Sequence, residues 1–387
     1  MEYLTAGESH GPKLTGILQG IPAGLKLDIT EVNAQLRARQ GGYGRGERQK
    51  IEYDQVKITA GLRHQVTLGS PISLVIVNDD YANWQSLMDP VASQTDENVQ
   101  LVYRPRPGHA DLVGGMKYQQ HDLRNVFECS SARETAMRVA IGNIAKQLLK
   151  ALGINLIGYV ASVGPIKADK NPLLDVSKIR KAILKNDLRI VDQSFVTDIH
   201  QLIDRTKKAG DTLGGILRVI VTNVPAGLGS YVQWQTKLDA KIAAAVMGVN
   251  AIKGVEIGDG FLAAKNPGSQ VMDEIVYEKK NGFSRTSDHL GGFEGGMTNG
   301  QPIIVKAAMK PLPTLYKALK SVNVLTKETT TATIQRSDVI AIVPASIVIE
   351  SVVAIELAKA ILSVFDDNSL VRLKKQLADY RQELLDY

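Results

Sequence analysis

"AGESHGPKLTGILQGIPAGL", residues 6–25, returns in the second half of the chain as "AGDTLGGILRVIVTNVPAGL", residues 209–228. Aligned without gaps, nine of the twenty positions are identical, and Glu8/Asp211, Ser9/Thr212 and Ile21/Val224 are conservative. The correspondence continues in order: "VKITAGL" (56–62) resembles "VEIGDGF" (255–261), and "GSPI" (69–72) resembles "GQPI" (300–303). "VAIGNIAKQLL" (139–149) resembles "VAIELAKAIL" (353–362) with one residue deleted. Matches in conserved order point to a duplication. The two pseudo-repeats run from about 1 to 164 and from 206 to 387, within a single domain spanning 1–387. Residues 165–205 are more charged, have no counterpart and read as a helical connection on the periphery.

Each half predicts a turn and strand, a helix, a strand pair and a long helix. "DITEVNAQLRAR" carries a capping box, Asp28 with Glu31, and an apolar face of Ile29, Val32 and Leu36. "SSARETAMRVAIGNIAKQLLKALG" has Ser131 as cap and Gly153 as stop. "KLDAKIAAAVMGVNAIKG" predicts a helix ending at Gly254, and a last helix begins near Asn368. Strands are expected at 51–60, 71–78, 155–163, 215–224, 302–309 and 330–336. Alternating strands joined by short turns favour antiparallel sheets packed on helices, an α+β class.

The 387 residues are 44% apolar and 22% charged, an ordinary soluble composition, and aromatics at 5% argue against a base-stacking platform. A lone cysteine, Cys129, fits a reducing compartment. "MEYLTAGESHG" lacks a basic region followed by an apolar run, so a cytoplasmic protein is expected. The longest apolar stretch, "VIAIVPASIVIESVVAI", is interrupted by Pro344 and Glu350 and reads as a strand end plus a buried helix rather than a membrane span. Neither a dinucleotide fingerprint nor a P-loop is present. The six histidines show no metal-ligand spacing, so no metal site is expected.

The duplication gives one residue meaning. Where the first half has His10, the second has Leu213, so the turn can form without a histidine. His109 in "RPRPGHADLVGG" sits in a proline-restricted turn, with Asp111 two residues on to orient its ring. Histidines titrate near neutral pH and suit general acid or base work. Arg336 and Asp338 in "TATIQRSDVIAIVPAS" stand where a strand gives way to a turn. Local charge favours an anion: "LRARQGGYGRGERQK" holds Arg37, Arg39, Arg45, Arg48 and Lys50 against Glu47. Ser130 and Ser131 open a helix whose first turn carries Arg133, and Arg106 adds a further fork-like donor. These residues describe an enzyme for a small, strongly anionic substrate, without specifying the reaction.

Taken together, "AGESHG", "RQGGYGRG", "RPGHADLVGG", "SSARETAMRVA", "GSYVQWQTKLDA", "GFEGGMTNGQPI", "KPLPTLYK" and "RSD" resemble the ordered signatures of the chorismate synthase family, over nearly the whole chain. One departure is Cys129, where a basic residue is expected before the two serines.

The resemblance implies two antiparallel sheets with helices sandwiched between them, assembled as a homotetramer. It implies an anti 1,4-elimination of phosphate from 5-enolpyruvylshikimate 3-phosphate to give chorismate, the final step of the shikimate pathway, with reduced FMN (FMNH2) required. By the same resemblance His10 would protonate the leaving phosphate. His109 would hold a proton beside the flavin, and Asp338 would assist proton removal through the flavin N5. Ser9, Arg39, Arg45, Arg48, Arg106, Arg133 and Arg336 would hold the substrate. Ser130, Ser131, Asn250, Ala251, Gly295, Lys310, Pro311, Leu312, Pro313, Thr314 and Arg336 would hold the flavin. The family includes members that reduce their own flavin with NADPH and members that rely on outside reductants, so NADPH stands as a candidate reductant. Two rivals make different predictions: an RNA-contacting "GGYGRG" segment predicts salt-sensitive RNA affinity, and a flavoprotein oxidoreductase predicts stoichiometric flavin oxidation. Neither nucleic acid nor membrane is an expected partner.

Overall fold

The computed structural model describes residues 1–45, 53–91, 101–169, 174–317, 319–334 and 338–387. Its first sheet contains β1 (Glu2–Ala6), β2 (Lys13–Gln19), β3 (Val56–Ala60) and β4 (Ile72–Val77), in the order β1-β2-β4-β3 and antiparallel throughout. The second contains β5 (Asn155–Val163), β6 (Ile166–Lys167), β7 (Gly215–Thr222), β8 (Ile252–Ile257) and β9 (Ile303–Met309), in the order β8-β9-β7-β5-β6, again antiparallel. With the strands paired as the sequence repeat pairs them, both sheets share one order, and β5 takes the place of β1. The boundary at 164 therefore falls after a strand of the second sheet rather than before its first one.

Between the sheets lie α1 (Ile29–Gln40), α4 (Thr135–Ala151), α7 (Leu238–Met247) and α8 (Ile342–Leu362). Alternation in β2 and β4 turns Leu14, Leu18, Ile72, Leu74 and Ile76 toward these helices, where they are buried. Helix α8 is apolar on every side, as a helix enclosed by two sheets and other helices must be. Its Pro344 sits in the first turn, where a missing N–H costs little. The helix layer closes tightly because Gly142 of α4 faces Ser351 of α8, and a Cβ at 142 would collide with the serine Cβ. Buried Glu350 of α8 is the polar knot of this layer: it pairs with Lys146 of α4, accepts from Gly158 N at 2.9 Å, and lies 3.4 Å from Arg189.

Several local expectations shift. Asp28 caps α1 by accepting from Thr30 N and Glu31 N, but its own N–H goes to Gln147 Oε1 and Glu31 turns to Lys150, so the reciprocal half of the box is not made. Helix α7 stops at Met247, with Gly248 as its cap, because residues 252–257 join the second sheet. The strand predicted from 51 begins at Val56, and that predicted at 330–336 is reduced to Thr329–Thr331 among the described residues. The connection carries α5 (Val176–Ile183) and α6 (Val196–Lys208). Helix α5 packs on the outer face of the second sheet through Ile179 and Ile183 against Ile157, Tyr159 and Ile220. Among the described residues the first sheet has no such cover over Leu4 and Ile17, 73% and 49% exposed. Among the described residues no helix is long and apolar enough to cross a membrane.

Candidate active site

The "AGESHG" turn follows β1 and is pinned by a helix from much later in the chain. Helix α3 (Arg124–Ser130) presents Glu128, 2% exposed. Its backbone carbonyl accepts from Ser9 N at 3.0 Å and its carboxylate from His10 N at 2.8 Å. The His10 Nδ1 lies 2.8 and 2.9 Å from the two carboxylate oxygens. Trp84 covers the imidazole, with ring centroids 3.9 Å apart. Ser131 Oγ donates to Ser9 Oγ at 3.2 Å, which ties this turn to the serine pair.

A second cluster lies just past those serines. Asp54, 4% exposed, takes both carboxylate oxygens to Arg133 Nη1 at 2.5 Å and lies 3.6 Å from Arg39 Nη1. Arg39 also donates to Thr135 Oγ1 and Ala132 O. Burial, with Arg133 and Arg45 nearby, pushes the Arg39 guanidinium down to about 10 against the pull of Asp54, so it stays charged near neutrality. Arg45 Nη1 meets Asp338 Oδ2 at 2.6 Å, and Val339 N donates to Gly44 O, joining the start of the arginine loop to the second half.

The third cluster, at the start of α2 (Asp111–Tyr118), confirms the two-residue spacing of "HAD" as a contact. His109 Nδ1 lies 2.6 Å from Asp111 Oδ1, while Arg106 donates to both oxygens of the same carboxylate at 2.8 and 3.0 Å. Burial alone would raise the Asp111 carboxyl, but the hydrogen bonds from His109 and Arg106 outweigh it and hold it far below the usual carboxylate range. Arg106 Nη1 donates to Thr314 Oγ1 at 3.3 Å, and Gly108 lies beside Pro313 and Lys310. Lys310 N donates to Ala251 O, Thr212 Oγ1 to Leu312 O, and Asn250 Nδ2 to Ser130 O. Ala251 holds a left-handed φ of 68° without being glycine, a strain often found at functional positions. A run of cation–ring and ring–ring contacts joins this cluster to the first: Arg106 over Phe127, Arg124 over Phe127 and Trp84, and Trp84 on His10.

The structure thus brings Ser9, His10, Arg39, Arg45, Arg106, His109, Ser130, Ser131, Arg133, Asn250, Ala251, Lys310–Thr314 and Asp338 into linked clusters. Gly295 stands apart from these contacts, in a ribbon turn against Tyr231. Arg48 and Arg336 lie outside the described residues. Sequence reasoning missed Glu128, Asp54, Trp84 and Arg124. The missing signal is distance along the chain: Glu128 is 118 residues from His10. One clue was available, since Asp54 aligns with Lys253 in the repeat, a reversal of charge the fold does not require.

Four buried donors here have no hydrogen-bond partner among the described residues: Arg45 Nε, Arg124 Nε, Arg133 Nε and Ser130 Oγ. Buried polar groups are normally satisfied, so this concentration marks a place for a ligand with several acceptor oxygens. Beside it, Gly7, Glu8, Cys129, Arg138 and Asn250 help line a cavity of about 570 Å³. Ser130, Asn250 and Lys310 fit a phosphorylated cofactor: a hydroxyl with no partner among the described residues, an amide fixed on the same serine's carbonyl, and a cation. Burial, then the nearby Lys253 charge, lowers the Lys310 ammonium from its ordinary value, as expected of a cation awaiting an anion.

The chorismate synthase family profile matches residues 1–362. Chorismate synthases of Limosilactobacillus fermentum and Lactiplantibacillus plantarum are each 62% identical over the full length of both chains, and that of Enterococcus faecalis is 56% identical over 98% of each. A crystal structure of chorismate synthase superposes with a TM-score of 0.81 at 38% identity, covering 100% of this chain and 98% of that one. Two sheets of one strand order around a helix layer, with polar clusters drawn from both halves, are accounted for by one assignment: the chain belongs to the chorismate synthase family.

Proposed function

We propose that this chain converts 5-enolpyruvylshikimate 3-phosphate to chorismate by anti 1,4-elimination of phosphate, with reduced FMN bound. The observation that carries this reading is the pairing of two histidines, each with a carboxylate on Nδ1, beside arginines that retain unsatisfied buried donors. A substrate with one phosphate and two carboxylates supplies the acceptors those donors need. His10 donates a proton to the departing phosphate oxygen, while Ser9, Arg39, Arg45 and Arg133 hold the substrate's anions. Arg48 and Arg336 are assigned to the same task by resemblance. Arg106 and Asp111 fix His109 so that it can hold a proton at Nε2. Asp338 assists removal of the ring proton once the substrate's negative charge competes for Arg45.

Ser130, Ser131, Asn250, Ala251, Gly295 and Lys310–Thr314 would hold the flavin. Reduced FMN, when bound, would supply electron density that stabilises an electron-poor transition state. NADPH remains the candidate source of reducing equivalents. We further propose a cytoplasmic homotetramer, an assembly supported by the uncovered apolar face at Leu4 and Ile17.

Anaerobic incubation with reduced FMN and 5-enolpyruvylshikimate 3-phosphate tests the reading. Many chorismates per flavin are expected. Folded protein that yields none overturns it, and one flavin oxidised per turnover assigns an oxidoreductase instead.

A further inference from the structure

We propose that Glu128 is the positioning residue for His10, fixing which ring nitrogen works on the substrate. The inference rests on the reading of His10 as proton donor. Three bonds from Glu128 hold the Ser9–His10 turn: its carbonyl takes Ser9 N–H, and its carboxylate takes His10 N–H and the ring Nδ1. A single residue therefore sets both the backbone and the side chain of His10. Trp84 packs on the imidazole face and restricts rotation about the remaining torsion. Glu128 is itself 2% exposed, so it does not sample alternative geometries in water.

A carboxylate can only accept, so Nδ1 must carry a hydrogen. Any proton that His10 passes on then leaves from Nε2, on the opposite edge of the ring. In the step, the Nε2–H bond breaks and an O–H bond forms on the departing phosphate. The electron pair of the breaking C–O bond stays on that oxygen. The imidazolium becomes a neutral ring that keeps Nδ1–H on Glu128. The carboxylate balances the imidazolium before the transfer and holds the product tautomer after it, without touching the substrate. Asp111 offers His109 the same service but divides its oxygens with Arg106.

Glu128→Gln tests this, because the amide keeps the size and can still accept from His10 N while losing the charge. We expect kcat to fall about 100-fold or more, with KM within about threefold and an unchanged melting profile. A retained kcat, or a rise in KM as large as the fall in kcat, overturns the proposal. Nitrogen-15 NMR of histidine-labelled wild-type protein gives a readout independent of that variant's folding. At alkaline pH, His10, identified by its loss in His10→Asn, should keep its proton on Nδ1, the minor tautomer of a free imidazole. A proton on Nε2 alone overturns the proposal. Wild-type protein that folds but makes no chorismate defeats the functional reading instead, and the tautomer measurement still decides the role of Glu128.

Discussion

The two copies of one turn have diverged in what they hold. "AGESHG" and "AGDTLG" lead into β2 and β7, the strands that the repeat pairs. Gly7 opens the first at φ +128°, and a Cβ there would lie 2.5 Å from Lys13 O. At the fifth position the copies part. His10 is bound to a buried acid and packed against Trp84. Leu213 instead packs partly into the core, and its N–H joins Val339 O beside Asp338. The turn is thus a scaffold common to both halves. One copy carries a candidate proton donor, and the other anchors the segment in which Asp338 meets Arg45.

The largest expected effect breaks the comparison at this position. His10→Leu, which copies the second turn into the first, should lower turnover by about 10²–10⁴-fold. It should also lower the melting temperature, because Glu128 loses its ring partner while remaining buried. The double variant His10→Leu with Glu128→Gln removes the charge and should recover the melting temperature but not the turnover. Leu213→Ala should do the opposite of His10→Leu, costing about 2 kcal/mol of stability or less at a half-buried site with kcat nearly unchanged. Recovery of turnover in the double variant would show that His10 serves only the fold.

The layered fold was legible because the repeat and the period of the apolar residues agree. Leu14, Leu18, Ile72 and Leu74 alternate toward helices whose apolar faces are visible in the sequence. Less legible was the sheet that residues 155–163 would join, since strand pairing is set by tertiary contacts that a linear repeat does not record. The overrun of helix α7 has a similar cause: "VNAIKG" continues the helical apolar spacing, yet Ile252 pairs with Met309. His10, His109 and the arginines stood out by residue type and by their mismatch with the second copy. Their acids did not. Glu128 and Asp54 look like ordinary surface charges in the sequence, and only the fold carries them under the groups they hold.

Asp54 sharpens the comparison at a second position. It stands just before β3, and its counterpart in the repeat is exposed Lys253, the second residue of β8. The acid compensates two buried arginines, whereas the lysine adds positive charge near Lys310. Asp54→Asn should raise KM for the anionic substrate about tenfold, because Arg39 and Arg133 lose the carboxylate that aligns them. It should also cost about 1–3 kcal/mol of stability, read from denaturant unfolding. Lys253→Gln should move neither quantity by more than about twofold in KM or ~0.5 kcal/mol in stability. Equal effects of the two variants would mean that the charge reversal between the halves carries no information about the site.

The smallest effect concerns what the second half built where the first has a short connection. Residues 61–71 join β3 to β4, whereas residues 258–302 join β8 to β9. The longer segment gathers Asp259, Asp273, Asp288 and His289. Asp288 accepts from Gly292 N through Oδ1, while its buried Oδ2 has no partner among the described residues. Burial pushes the Asp288 carboxyl up to about 7, against the Gly292 hydrogen bond and with help from Asp273. The unfolded chain releases this proton near 3.8, the ordinary value, so between roughly pH 4 and 7 the native state binds more protons than the unfolded one. Stability must therefore fall as pH rises through that window, with the full penalty present above about 7. Asp288→Asn cannot ionise and should melt at a higher temperature than the wild type at pH 8. The gap should shrink steadily toward pH 5, and turnover should follow the wild type throughout. A variant that melts lower than the wild type at pH 8 would mean that the ionised Asp288 is a partner the long segment needs, and that this excursion holds a charge as tightly as the first half holds Glu128.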